Sequence, residues 1–372
     1  MSNIVHLTFP ARSQGRAARR AALLDRFASA RRAPDDVFWL KENAEILNIL
    51  ECTGQTRATG LLEEAALAPY AKVYDALEKR LGFFPQYYRF FLSIALDLEA
   101  LGMPGNKAEG LVHWAHAQDL AGAELSDLQR AEARRLMLRR GVDPCGTAAD
   151  SEALTERLHA FLSRSRTFMI PNKKAAYELT HILFYLSEYG RKSTQFSRAT
   201  HESLNFAGTL AYLDLNADLL AEICVAMRHV GLTPPEAWET WLARETNGFT
   251  VEARESAMAQ DDYHEFLVCN WALATAGTES FRHAVTEGQV TFRAAPRPVA
   301  PLRLMSQCLI GMDAARSADW SRMQAPIEDA LAEPWAITHL GRAAEACTDF
   351  DAFFAGFARA GVASAPQERA RA

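Results

Sequence analysis

The sequence lacks the motifs that identify most enzyme classes. It has no P-loop, no Gly-x-Ser-x-Gly elbow, no dinucleotide-binding fingerprint and no kinase motif set. Its six cysteines in 372 residues have no paired spacing, which argues against a zinc knuckle or a disulfide framework. The apolar run 266–276 is far shorter than the ~20 residues of a membrane helix, and the N-terminus has no secretory-type apolar core. We therefore expect a cytoplasmic protein without a membrane span.

Glycine, in contrast, recurs after apolar helical stretches at gaps of 39, 49, 41, 46 and 84 residues. These glycines are Gly102, Gly141, Gly190, Gly231, Gly277 and Gly361. Because glycine enters the left-handed conformation that ends a helix without Cβ strain, the spacing predicts consecutive helical hairpins. We predict an all-α protein forming an α/α solenoid or toroid-like array, with a non-repetitive orthogonal helical array as the alternative. The only β-like text, residues 289–293, is too short to change that class.

The net charge of −6 is unevenly distributed. Residues 1–34 hold seven arginines and one acid, so they carry +6 and the remainder carries −12. We predict a basic, partly disordered arm over 1–34, a single all-α domain over 35–361 and a disordered tail over 362–372. The arm could touch nucleic acid or anionic lipid, or fold back on its own domain through complementary charge. The acidic body argues against nucleic acid as a partner.

A polar stripe runs along the predicted helix 173–189. Glu178, His181, Tyr185 and Glu188 recur at helical spacing, and no lysine or arginine occurs between Lys174 and Arg191. We predict that His181, backed by Glu178, acts as a general base and that Tyr185 donates a proton. The competing interpretation is a half-buried histidine paired with Glu178 on a solvent-exposed surface or at a subunit contact.

A second stripe lies between Asp214 and His229, mostly on the otherwise apolar helix 217–230. Asp214, Asp218 and Glu222 recur every four residues, and His229 rejoins their face two turns later. Asp214 and Asp218 could be explained by helix capping and by the helix dipole. Glu222 lies too deep in the helix for either role, so a functional explanation is strongest for Glu222.

The third element is the start of the apolar helix 263–276. Asp262 and Glu265 have the spacing of a capping box, and His264 lies between them on the first turn. Asn270 is a polar residue in a predicted core and therefore needs hydrogen-bond partners. We predict that Asn270, together with Arg191, contacts substrate.

If the three helices stack in register, their polar stripes could face one recess. His181, Asp218, Glu222 and His264 would then suit a divalent metal, zinc or iron, with a position left open for water or substrate. Without a metal, the same groups would support proton transfer.

The run 176–190 resembles the central motif of uncharacterised bacterial all-helical families. In those families an LTH-x-x-FYL segment precedes an acidic apolar helix and a Tyr-His segment, which here are similar to 218–222 and 263–264. The resemblance covers under a third of the chain. It implies that the three polar stripes belong together, and it implies no particular reaction.

The sequence thus predicts a small-molecule or peptide-modifying enzyme, with or without a metal ion, centred on His181, Glu222 and His264. The alternative is a non-enzymatic helical-repeat module that binds a protein or peptide partner on a concave surface.

Overall fold

The computed structural model describes residues 15–53, 62, 64–254 and 260–360. The described chain is mostly helical, which confirms the all-α class. Its helices are α1 (Arg16–Asp25), α2 (Val37–Cys52), α3 (Glu64–Leu67), α4 (Ala71–Phe83), α5 (Tyr88–Leu101), α6 (Lys107–Ala117), α7 (Asp127–Leu138), α8 (Ala148–Leu162), α9 (Lys173–Leu186), α10 (Arg198–Leu213), α11 (Ala217–His229), α12 (Glu236–Asn247), α13 (Tyr263–Thr275), α14 (Pro301–Gly311), α15 (Trp320–Leu331), α16 (Pro334–Ala346) and α17 (Phe350–Ala358). None of these helices is both long and apolar enough to cross a bilayer.

The described residues divide into two compact units. The first unit takes in the described parts of Met1–Ala123, Leu136–Pro144 and Glu245–Ala295, and the second those of Glu124–Arg135, Cys145–Arg244 and Pro296–Ala372. The prediction of a single domain over 35–361 stays a prediction, as does the solenoid or toroid arrangement.

In the first unit, α2 packs against α5 and α13. Asp36 caps α2 by accepting the N–H of Phe38, and both α2 and α5 are buried along most of their length. The unit also holds a two-stranded antiparallel sheet, β1 (Thr250–Arg254) and β2 (Gln289–Arg293), in which Val251 pairs with Phe292. Strand β2 coincides with the predicted β-like text, whereas β1 was missed, although residues 250–254 alternate polar and apolar side chains, because five residues are a short stretch in which to recognise a strand.

The basic N-terminal segment is part of the first unit over its described length. Helix α1 and the π-helical turn Arg26–Ala30 bury four apolar side chains, Leu23, Leu24, Phe27 and Ala28. Complementary charge also holds the segment, since Arg31 and Arg32 both pair with Glu42 on α2. Of the alternatives for this segment, folding back on its own domain therefore describes residues 15–32.

In the second unit, α10 lies at the centre. It packs against α8, α11, α14 and α16, and its residues 203–213 are all buried. Its Gly208 allows close packing, because a Cβ there would lie 2.3 Å from the ring of Trp238. Helices α9 and α11 pack against each other beside α10 and are capped by Asn172 and Asn216, which accept backbone N–H groups of the first turn.

Most of the predicted helix ends are confirmed. Four of the glycines have a left-handed φ and a bond from the following N–H to the carbonyl five residues earlier: Gly102, Gly141, Gly231 and Gly277. Gly361 lies outside the described residues. At α9 the prediction was wrong by several residues, because the helix ends at Leu186 and Glu188 already takes the left-handed conformation, at φ 51°.

Candidate functional site

Glu222 is the buried acid of the second unit that most needs explanation. It lies in the middle of α11 among apolar neighbours and is 2% exposed. A buried carboxylate is costly unless hydrogen bonds or opposite charge compensate it. Helix α9 supplies that compensation: the Thr180 hydroxyl lies 2.6 Å, and the His181 Nδ1 atom 3.6 Å, from the same Glu222 oxygen, Oε2.

The hydrogen bonds of His181 determine which ring nitrogen carries the proton. Nδ1 lies 2.7 Å from the backbone carbonyl oxygen of Tyr177, one turn earlier on α9. A carbonyl only accepts hydrogen bonds, so Nδ1 is the protonated nitrogen. In the neutral ring, the lone pair is therefore on Nε2, and the side chain is 36% exposed. A histidine held in this way can accept a proton or bind a metal ion through Nε2.

Tyr177 forms a second hydrogen bond between α9 and α11. Its hydroxyl donates a 2.8 Å hydrogen bond to Oδ2 of Asp218. Burial, and then the negative charges of Asp218 and Glu222, raise the pKa of Tyr177. The phenol consequently stays protonated and acts as the donor to Asp218. Two carboxylates of α11 are thus bound by hydroxyl groups of α9.

The structure changes the predicted partner of His181. The carboxylate beside its Nδ1 atom is that of Glu222 on the neighbouring helix, whereas the prediction placed Glu178 there. Glu178 sits half-buried on the same helix, and its predicted catalytic role stays a prediction. Tyr185 is buried and packs edge-on against the His181 ring, with the ring centroids 6.0 Å apart. Its role as proton donor is likewise untested.

A second histidine, His229, is the last residue of α11. His229 packs edge-on against the rings of Phe184 and Tyr189, and a Cβ at Gly190 would lie 2.8 Å from its Cδ2 atom. Burial, and then the charge of Arg191, lower the pKa of His229 to about 4. His229 is therefore neutral at pH 7. Arg191 thus affects the pKa of His229 electrostatically. The predicted contact of Arg191 with substrate stays a prediction.

His264 and Asn270 both belong to the first unit. His264 Nδ1 is hydrogen-bonded to Oε1 of Glu45 on α2. Asn270 is 1% exposed, and its amide donates to the Phe266 carbonyl and accepts the N–H of Phe281. These bonds give Asn270 a structural role, and its predicted contact with substrate stays a prediction. The predicted convergence of His264 with the residues of the second unit stays a prediction.

The predicted capping box at α13 was wrong. Asp262 occupies the N-cap position without a side-chain cap bond, and its carboxylate accepts the N–H of Ala294 instead. The competing partner is a backbone group that precedes a proline-rich segment, far away in sequence. Local spacing alone therefore could not identify it.

Sequence reasoning also missed a buried ion cluster in the first unit. The Arg31 guanidinium donates to Glu42 and to both carboxylate oxygens of Asp261. Its carbon lies 5.0, 5.3 and 5.0 Å from the ring centroids of three aromatic residues, Phe27, Tyr263 and Phe292. The available signal was Glu42 itself, an acid within the apolar pattern of α2. Thr180 was missed for the opposite reason, since a lone threonine in an apolar helix carries no clear signal.

The comparisons with known proteins give a family and no function. No curated protein and no solved structure matches the chain. A family model described as a domain of unknown function, DUF6902, matches residues 1–360. The chain therefore belongs to the DUF6902 family.

Proposed function

We propose that the protein is an enzyme that acts on a small molecule or peptide, with a proton-transfer centre on α9 and α11 of its second unit. The observation that carries the proposal is the orientation of His181. Its Nδ1–H is bound by the Tyr177 carbonyl beside the buried carboxylate of Glu222, so that Nε2 is the proton-accepting atom.

In this proposal His181 is the catalytic residue and Glu222 a positioning residue. When Nε2 accepts a proton, the ring becomes a cation, and the carboxylate 3.6 Å from Nδ1 stabilises it. The Thr180 hydroxyl keeps that carboxylate oriented toward α9. General acid–base catalysis by such a positioned imidazole contributes about 10²–10⁴-fold in rate.

A divalent ion could extend this chemistry. Asp218 and Glu222 lie one turn apart on α11 and offer two carboxylates, oxygen ligands that suit zinc or iron. Metal analysis of the purified full chain and of Glu222→Gln tests this extension. Stoichiometric zinc or iron that is lost in the variant would support it.

The first test needs no substrate. Diethyl pyrocarbonate acylates unprotonated imidazole nitrogens, and peptide mapping by mass spectrometry locates the product. We expect His181 in the folded full chain to be acylated and the half-buried His229, whose ring packs against Phe184 and Tyr189, to be better protected. Protection of His181 to the same degree as His229 would mean that Nε2 is not accessible, and the proposal would fail.

The second test looks for turnover. The wild type, His181→Gln, Glu222→Gln and the matched control His201→Gln are each incubated with a bacterial metabolite and peptide extract, and consumed compounds are followed by mass spectrometry. We expect consumption by the wild type and the control, and a loss of about 10²-fold or more in His181→Gln. No consumption by the wild type, with a protein partner retained in pull-down, would instead support the binding-module alternative.

A further inference from the structure

A half-open pocket in the second unit lies apart from His181 and Glu222, neither of which lines it. Its empty volume is about 350 Å³, part of which is open to solvent. The walls come from α9, α10, α11, α14 and the 3₁₀ segment Ser165–Met169, and they are mostly aliphatic or aromatic, including Phe168, Ile170, Ala176, Leu210, Leu219 and Leu302. Because this volume includes space open to solvent, the enclosed part is smaller, and an occupant is smaller than a drug-sized molecule.

Two residues of opposite charge also line this pocket. Lys173, the first residue of α9, and Asp214, which follows α10, both line it, and Lys173 Nζ lies 3.0 Å from Asp214 Oδ2. Their side chains are 64% and 30% exposed. An ion pair exposed to this extent contributes little to stability, so it can open at low cost and bind a ligand instead.

We propose that this pocket binds a free amino acid with an apolar side chain. The side chain enters the apolar pocket, the α-carboxylate pairs with Lys173, and the α-ammonium pairs with Asp214. A ligand with only one charge would separate the ion pair and leave one of its members unmatched, whereas a zwitterion matches both. The apolar walls, which include the partly exposed Ile170, exclude polar side chains because those would lose their water without gaining partners.

Isothermal titration calorimetry of the full chain tests the proposal with L-phenylalanine and L-leucine. The comparison ligands are 3-phenylpropanoate, which lacks the ammonium group, phenethylamine, which lacks the carboxylate, and L-serine, which lacks the apolar side chain. We expect one-to-one binding of the first two and at least about 10-fold weaker binding of each comparison ligand, the loss that one charge-assisted contact explains.

The variants Lys173→Gln and Asp214→Asn are each expected to weaken L-phenylalanine binding at least about 10-fold. The matched control Lys174→Gln removes the next lysine of α9, which does not line the pocket, and should bind as the wild type does. Ala176→Leu fills the pocket and should abolish binding. If Ala176→Leu fails to fold, as judged by circular dichroism, the two surface variants still decide the question.

Three results would overturn the proposal: no binding of either amino acid, equal binding of 3-phenylpropanoate and L-phenylalanine, or unchanged binding in both Lys173→Gln and Asp214→Asn. Binding of N-acetyl-L-phenylalanine amide without binding of the free amino acid would also overturn it, because the occupant would then be a side chain of a peptide or protein.

Discussion

His229 makes the stability of the second unit depend on pH in a way that can be calculated. The imidazole lies at the end of α11 against Phe184, Tyr189 and Gly190, and its burial, together with Arg191, lowers its pKa from 6.5 to about 4. Replacing it by phenylalanine, His229→Phe, keeps a ring in this aromatic environment and removes the titration.

The direction of this pH dependence follows from proton binding at His229 in the folded and the unfolded state. Between the folded and unfolded pKa values, the unfolded chain binds a proton at His229 and the folded chain does not, so acid favours unfolding. The contribution is absent above the unfolded value of 6.5 and grows as the pH falls toward 4. Lowering the pH from about 7.5 to about 5 should therefore remove about 2 kcal/mol of unfolding free energy through this group.

Urea unfolding of the wild type and His229→Phe at both pH values gives the difference directly, because the contributions of all other groups cancel. We expect the wild type to lose about 2 kcal/mol more than the variant over this range. The exposed His116→Phe serves as the control and should follow the wild type. An equal loss in wild type and His229→Phe would refute the reasoning, as would an NMR titration that places the pKa of His229 near 6.5.

Three further changes test the packing. Arg31→Met leaves the buried carboxylate of Asp261 without its cation and Glu42 with Arg32 alone, so it should cost about 3–5 kcal/mol of unfolding free energy. Arg19→Met, whose partner is half exposed, should cost less than about 1 kcal/mol; similar costs in a denaturant titration would contradict the buried cluster. Gly190→Ala and Gly141→Ala both place alanine at a left-handed φ, but only the former meets a neighbouring ring, so it should lower unfolding free energy by about 1–3 kcal/mol more; equal midpoints would argue against that contact. Thr180→Val removes a hydrogen bond to a buried carboxylate and should cost about 1–3 kcal/mol by the same assay, and an unchanged stability would mean that this bond is dispensable.

Helix positions and most helix ends could be predicted because their causes are local. The apolar periodicity of α5, α11 and α13 places these helices to within a residue or two at either end. The bond pattern after four of the glycines depends only on residues within one turn. The end of α9 was the exception, because Glu188 takes a left-handed conformation that side-chain type does not favour and the surrounding packing must stabilise.

The candidate site could be predicted in part. Spacing selected His181 and Glu222, since each is a polar residue at a position where its helix is otherwise apolar. Spacing could not pair them, because whether Glu178 or Glu222 lies beside Nδ1 depends on the rotation of α9 against α11. Thr180 enters the site for the same reason.

The sequence by itself determined the all-α class, the two polar stripes of α9 and α11, and the acid in α11 that capping cannot explain. Tertiary structure alone decided which nitrogen of His181 carries the proton, that Asn270 is bound by backbone groups, and that Asp262 accepts the N–H of Ala294. The physical reason is the range of the interactions. Periodicity and helix termination act within a turn or two of the chain, whereas the partners of buried polar groups are set by contacts between segments distant in sequence.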